Sequence, residues 1–363
     1  MKKVLFLSGH LYNSKRQANF HHIASACVEN GHNVTFCTVP NSFTTLLRQR
    51  HNYMERLKSF IYAIFPKVIN NIEVSSYISV VYPYQKTTRL NKLIEYLFYH
   101  GYSKSINKPF DVIIFENGIP FLLYSKLKVI NPNARFIYRV SDPVYKHKLV
   151  AFYEKKFINQ FDIVSTPSAS ITQNLQDQYP EANIHTHYHA INKALFLKEY
   201  INPYTKFKSS SIHFVFVGAS KLDYDFLKIA SSLSENYIFH IVGPFEQKIN
   251  KPNIQYYGEL KFENTIPFIK YADICMQTLI KFPQCETFER TLKFTQYSFF
   301  KKPILSPEYM KINEINSFNY KLTNDSIDKA IKDGLDFKHE NFDISWIRSW
   351  TEIADDLCNE FPL

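Results

Sequence analysis

Short apolar runs alternate with segments whose apolar positions recur every three to four residues, from the first residues of the chain onward. In the first half this pattern predicts strands at Val4–Ser8, Asn33–Val39, Ile78–Tyr82, Asp111–Glu116, Arg135–Val140, Asp162–Thr166 and Ile184–His189. Amphipathic helices are predicted between them, among them Gln17–Glu29, Leu90–Tyr102 and Tyr145–Phe157. Strand–helix alternation of this kind gives a parallel sheet with right-handed crossovers. After Phe196 the pattern lapses into a polar stretch, 197–211, which carries Pro203 and ends in three serines. Alternation then resumes with strands at Ile212–Val217, Tyr237–Val242, Ile254–Tyr257, Ile274–Gln277 and Pro303–Leu305. A last amphipathic helix over Phe342–Phe361 carries Trp346, Ile347, Trp350, Ile353 and Leu357, and either packs on its own domain or crosses back to the first. The expectation is an α/β protein of two Rossmann-like, doubly wound domains facing a cleft: residues 1–196, a linker at 197–211, residues 212–341 and a C-terminal helix at 342–363.

A length of 363 residues suits two cores, and 32 Phe and 25 Tyr are enough to fill them. The five cysteines show no metal-ligand or CxxC spacing and read as reduced thiols. The apolar run in Met1–Gly9 is short for a signal peptide, and no stretch reaches the roughly 20 apolar residues that span a bilayer. The expected location is therefore the cytoplasm, with any membrane contact peripheral. Residues 1–196 hold 23 Lys and Arg against 11 Asp and Glu, whereas the remainder holds 20 against 22. A basic first half implies an anionic partner, either a membrane surface, a phosphorylated acceptor or nucleic acid. No nucleic-acid-binding motif supports the last of these.

In parallel sheets ligands lie beyond the carboxyl ends of the strands. That singles out the turns Ser8-Gly9-His10, Glu116-Asn117-Gly118, Ser141-Asp142-Pro143, Gly218-Ala219-Ser220 and Gly243-Pro244. Gly218 and Gly243 would let the backbone approach a phosphate or a base. Neither belongs to a GxGxxG or GK[ST] loop, which argues against redox-dinucleotide and P-loop chemistry. Late in the chain, helical spacing puts Arg290, Lys293 and Gln296 on one face and Phe288, Leu292 and Phe299 on another. The polar face can meet a charged ligand or solvent.

Residues 253–277, ending in Tyr-Ala-Asp-Ile-Cys-Met-Gln, followed by Leu292-Lys-Phe-Thr-Gln-Tyr-Ser-Phe-Phe-Lys-Lys-Pro-Ile304, resemble the donor half of a GT-B glycosyltransferase. Lys293 and Gln296 match the Lys-x-x-Gln of the GumK-type glucuronosyltransferases of xanthan assembly. Tyr138-Arg-Val-Ser-Asp142 looks like the strand whose end carries that family's catalytic aspartate. Larger retaining families of this fold place two glutamates eight residues apart here, whereas Glu289 is followed at eight by Tyr297. The resemblance thus implies an inverting, metal-independent transfer from a UDP-sugar, with glucuronic acid a candidate sugar, to a lipid-linked or polysaccharide acceptor at a membrane surface. UDP-sugar is then a co-substrate, and no cofactor is expected.

Such a displacement needs a base for the acceptor hydroxyl and fixed cations for the departing diphosphate. Asp142 suits the base, although an Asp before Pro143 also suits a helix cap. Lys293, helped by Arg290, would neutralise the pyrophosphate or a sugar carboxylate, and Gln296 would bridge ribose hydroxyls. Tyr257 and Phe245 are either stacking partners for the base or core residues. On the acceptor side, Ser8, Gly9, His10, Tyr12, Glu116 and Asn117 could hydrogen-bond sugar hydroxyls. His185, His187 and His189 alternate along one predicted strand, yet without a carboxylate or cysteine cluster they do not make a convincing metal set. Phe43–Phe65 reads as a basic amphipathic helix with Phe43, Leu46, Leu47, Met54, Leu57, Ile61 and Ile64 near one stripe, which lies either on anionic lipid or on the core. A retaining transferase or a nucleotide-sugar epimerase is the competing enzymatic reading, and a basic nucleic-acid-binding protein the competing class.

Overall fold

The computed structural model describes residues 1–12, 17–42, 53–83, 91–141 and 148–359. They fall into two compact units, Met1–Tyr188 with Trp350–Leu363, and His189–Ser349. The first unit contains β1 (Lys3–Ser8), β2 (Asn33–Ser42), β3 (Lys67–Ile69), β4 (Ile72–Ser79), β5 (Val112–Glu116), β6 (Arg135–Arg139), β7 (Ile163–Thr166) and β8 (Ile184–Thr186). They form one sheet in the order β3-β4-β2-β1-β5-β6-β7-β8, parallel except for the β3–β4 pair. The second unit contains β9 (Ile212–Val217), β10 (Tyr237–Val242), β11 (Ile254–Gly258), β12 (Ile274–Met276), β13 (Ile304–Pro307) and β14 (Ser317–Tyr320). Its order is β11-β10-β9-β12-β13-β14, with every pairing parallel.

Central strands such as β1 bury both faces, from Val4 through Leu7, which is why they read as continuous apolar runs. Leu5, Leu7, Phe115, Phe136 and Tyr138 build the first core, and Phe214, Phe239, Ile274, Phe294 and Tyr297 the second. Each sheet reverses its winding at its first strand. β1 lies between β2 and β5, and β9 between β10 and β12, so the carboxyl ends of β1/β5 and β9/β12 are the topological switch points where a crevice opens.

Several expected boundaries move. The strand expected at Ile78–Tyr82 is β4 at Ile72–Ser79. Its buried serines conceal it from a hydropathy reading, because Ser75 pairs with Ser103 and Ser76 with Ser59. The expected linker 197–211 lies inside the second unit, anchored by Tyr204, which is buried and donates to the Phe268 carbonyl. Phe196 just before it packs on Phe262, Phe299 and Phe300. The expected C-terminal helix is helical only over Trp350–Cys358. Ile347 joins Ile191 and Phe196 in the second unit, while Trp350 stacks on His22 in the first, so the segment is divided between the units and its helix does return to the first. Of Phe43–Phe65, residues 43–52 lie outside the described set. The Tyr53–Ile64 helix buries Ser59, Phe60 and Ala63, leaving the expected stripe residues Met54, Ile61 and Ile64 about half exposed or more.

Candidate active site

At the first switch point Glu116 ends β5 with its carboxylate buried, 3% exposed. Ser8 at the end of β1 donates its hydroxyl at 2.5 Å, the Gly9 N–H donates at 3.1 Å, and Ser141, just past β6, donates its hydroxyl at 3.0 Å. His10 Nε2 lies 3.4 Å from the same carboxylate, and this imidazole is more than half exposed. Burial alone would push the Glu116 pKa up. The hydrogen bond and charge of His10, with the Ser8 and Ser141 hydroxyls, outweigh it and hold the group below the usual carboxylate range. Asn117 accepts from the Ser141 N–H at 3.2 Å. One carboxylate therefore ties together the ends of β1, β5 and β6.

Asp142, the expected base, lies outside the described residues, although Ser141 before it is held in this cluster. Gly9, His10, Glu116 and Asn117 are brought together as the sequence suggested. Tyr12 instead packs inward, 9% exposed, against Phe36 and His21. The hydrophobic pattern gave no sign of Arg139, a fully buried guanidinium on β6. It donates through Nη1 to the Ser165 hydroxyl and the His187 carbonyl. Desolvation pushes its pKa down to about 9. His187 itself is buried between Ser165 and Asp356, and His185 reaches Asn183. β8 ends at Thr186, so the three histidines do not alternate along one strand. Among the described residues no group of three or more His, Cys, Asp or Glu is placed to share a metal ion.

At the second switch point the Leu292–Phe299 helix delivers Lys293 and Gln296 to the end of β9. Thr291 caps this helix, accepting from the Phe294 N–H and donating to Gln277 just past β12. One turn after Lys293, the Tyr297 hydroxyl accepts the N–H of Val217 at 3.0 Å and straps the helix to the strand. The Lys293 ammonium consequently sits over the Phe216 ring, 4.1 Å from its centroid. Among the described residues it has neither a carboxylate partner nor a hydrogen-bond acceptor, and desolvation pushes its pKa down to about 7. Gln296 is 5% exposed, and its amide likewise makes no hydrogen bond to a described residue.

The glycines let the ends of two strands and the lysine crowd together. A Cβ at Gly243, where φ is 152°, would lie 1.8 Å from the Gly218 carbonyl oxygen. A Cβ at Gly218 would lie 2.7 Å from the Phe216 ring and 3.0 Å from Lys293 Nζ. The ends of β9 and β10 thus pack closely on each other, with the Phe216 ring and the unneutralised Lys293 ammonium against Gly218, a cation that suits a phosphate-bearing ligand. Phe245 stands edge-on to Phe216 there. Tyr257 is tethered, its hydroxyl 2.9 Å from His240, which in turn meets His213 at 3.0 Å. Arg290 precedes the helix and does not share the Lys293 face. Its guanidinium pairs with Glu314 at 2.6 Å and stacks on Trp346.

Comparison with known proteins places the chain among similar sequences and folds. Residues 6–167 match the family described as glucuronosyltransferase GumK, N-terminal domain. The UDP-glucuronate:glycolipid 2-beta-glucuronosyltransferase of Xanthomonas campestris pv. campestris is 24% identical, over 92% of this chain and 84% of its own. Among solved structures, sucrose-phosphate synthase from Thermosynechococcus elongatus superposes with a TM-score of 0.62 at 10% identity, covering 99% and 94% of the two chains. Anabaena Alr3699/HepE in complex with UDP and glucose superposes at 0.59 with 14% identity, covering 99% and 96%. The chain is a glycosyltransferase of the GT-B fold. Within that class it resembles the GumK-type glucuronosyltransferases, by its residues 6–167 and by the relative named above.

Proposed function

We propose that the protein moves glucuronic acid from UDP-glucuronate, with inversion and without a bound metal, to a lipid-linked or polysaccharide acceptor on the inner face of the cell membrane. The single observation that carries the donor half is the lone Lys293 ammonium beside Gly218 and Gly243. A desolvated cation without a counter-charge is costly, and a bound pyrophosphate supplies that charge. Gln296 takes the ribose, and Tyr257 or Phe245 takes the uracil. Asp142 removes the acceptor proton as the hydroxyl attacks C1, and the Glu116 cluster, with Gly9, His10 and Asn117, holds the acceptor sugar. The Arg290–Glu314–Trp346 contact fixes the approach to the donor helix.

The exposed face of Met54, Ile61, Ile64 and Phe65 supports the membrane part of this reading, since apolar residues beside Lys58 suit an anionic lipid surface. Among the described residues no helix is long and apolar enough to cross a membrane. Transfer is preferred to epimerisation because the curated relative named above is a transferase and the first unit carries a separate polar strand-end cluster suited to a second substrate.

A thermal-shift series with UDP-glucuronate, UDP-glucose, GDP-, dTDP- and CMP-sugars tests the donor, with UDP and UDP-glucuronate expected to raise Tm most. No shift with any uridine diphosphate overturns the assignment. Asp142→Asn should abolish transfer while UDP binding persists; retained transfer removes this residue as base. The anomeric configuration of the product, read by NMR, separates inversion from retention.

A further inference from the structure

Away from both strand-end clusters, the first unit holds two thiols in contact. Cys27, on the Asn19–Glu29 helix, and Cys358, at the end of the Trp350–Cys358 helix, place their sulfurs 3.5 Å apart, and both side chains are buried. We infer that this pair is a redox modification site that closes to a disulfide when a hydroperoxide reaches Cys358. The inference does not depend on the donor or acceptor assigned above.

The surroundings distinguish the two sulfurs. The Cys27 thiol hydrogen-bonds to Cys358 and holds its pKa down; burial opposes this, while the charges of Lys2 and Arg135 assist. The same contact pushes Cys27 well up. Cys358 is thus the more acidic and attacking sulfur, and Cys27 the resolving thiol. The other cysteines lack such a neighbour. Cys37 on β2 is pushed up to about 12 by burial, Cys275 on β12 is also pushed up, and the Cys285 sulfur faces the Tyr309 carbonyl. Cys358 lies in the last turn of its helix. Lys2 donates to the Cys358 carbonyl at 2.6 Å and Arg135 to the Asn359 carbonyl. Releasing these two side chains opens the turn without disturbing the sheet, a small local opening that admits a peroxide.

The chemistry balances with one equivalent of hydroperoxide. The Cys358 thiolate attacks the O–O bond, an S–O bond forms, and the leaving hydroxide or alkoxide takes a proton, giving a sulfenic acid. The Cys27 sulfur then attacks Cys358; the S–S bond forms, the S–O bond breaks, and water departs with the Cys27 proton. The two sulfurs are oxidised by two electrons in total, and the peroxide is reduced. The product fastens residue 358 to residue 27 and so fixes the returning helix onto the first unit.

The test treats the full chain with hydrogen peroxide, then denatures and alkylates it. Free thiols should fall from five to three, and the intact mass should drop by about 2 Da, two hydrogens lost in one disulfide. One cross-linked peptide pair should carry Cys27 and Cys358, and dithiothreitol should restore all five thiols. The oxidised form should melt at a higher temperature than the reduced form. Cys27→Ser should trap Cys358 as a dimedone-reactive sulfenic acid with no mass loss; should that variant fail to fold, Cys27→Ala serves the same purpose. Five thiols remaining, a link through Cys37, Cys275 or Cys285, or a Cys358 carrying two or three oxygens with no cross-link each overturn the inference.

Discussion

The two switch points hold opposite charges in opposite states. Glu116 in the first unit, at the end of β5, is surrounded by donors from the ends of β1 and β6. Lys293 in the second unit has an aromatic face beneath it, Gly218 beside it and no anion among the described residues. A satisfied buried charge organises backbone, whereas an unsatisfied one stores binding energy for a ligand that carries the missing charge. On the function proposed above, the first cluster is a scaffold on which an acceptor rests, and the second a receptor for a departing group. That division fits a transferase, in which one substrate must be held and the other must leave with growing charge.

The strongest way to break this contrast is at the lysine. Lys293→Met should lower kcat/KM by about 10²–10³-fold and remove most of the UDP-induced thermal shift. A loss under about threefold, roughly 0.7 kcal/mol, would reduce Lys293 to a surface cation. The same variant should melt higher than the parent in the absence of ligand. The folded pKa of about 7 lies below the unfolded one, so the cost of burying this ammonium is fully present below about pH 7 and fades as pH climbs toward the ordinary lysine value. The gain in Tm should accordingly be greatest near pH 6 and vanish near pH 10.

Gly243→Ala is next in size. The new methyl would lie 1.8 Å from the Gly218 carbonyl oxygen, so the strand ends must shift; UDP affinity should fall about tenfold or more, a 1.4 kcal/mol change, with a lower Tm. Glu116→Gln keeps the shape but removes the charge that gathers Ser8, His10 and Ser141. It should raise the KM for acceptor by several-fold and leave UDP binding unchanged, and an effect on UDP binding would contradict the assignment of this cluster to the acceptor. The smallest effect is the pH dependence of UDP binding. In the free protein the Lys293 ammonium is lost as pH rises through about 7, so UDP affinity should weaken from pH 6 to pH 9, and isothermal titration should show protons taken up on binding at the alkaline end. Lys293→Met should flatten that profile.

Much of this arrangement is legible in the chain itself. β9 and β10 fall where Ile212–Val217 and Tyr237–Val242 read as apolar runs, each interrupted by one histidine and bounded by polar residues and glycine. Lys293 and Gln296 are visible through their spacing and the Lys302-Pro303 that follows. What the sequence conceals is partnership over distance. Ser8 lies 108 residues from Glu116, and Ser141 lies 25 away, so no local pattern announces that they share one carboxylate. Arg290 looked equivalent to Lys293 on a helical wheel. Thr291 starts the helix one residue later, and Glu314 and Trp346 hold the guanidinium elsewhere. β4 escaped for a different reason, since its Ser75 and Ser76 pair with Ser103 and Ser59 outside the strand and do not need an apolar pattern to be buried.

The returning helix has a consequence for how the protein is made. Trp350 and Cys358 complete the face of the Asn19–Glu29 helix, yet they are translated more than 300 residues after it. While the ribosome is still elongating, the first unit must wait with that face bare, and its assembly ends only when Trp350–Cys358 arrives. Truncations that spare every residue of both strand-end sites but remove 350–358 should therefore give a first unit that is readily digested, although nothing in the chemistry has been touched.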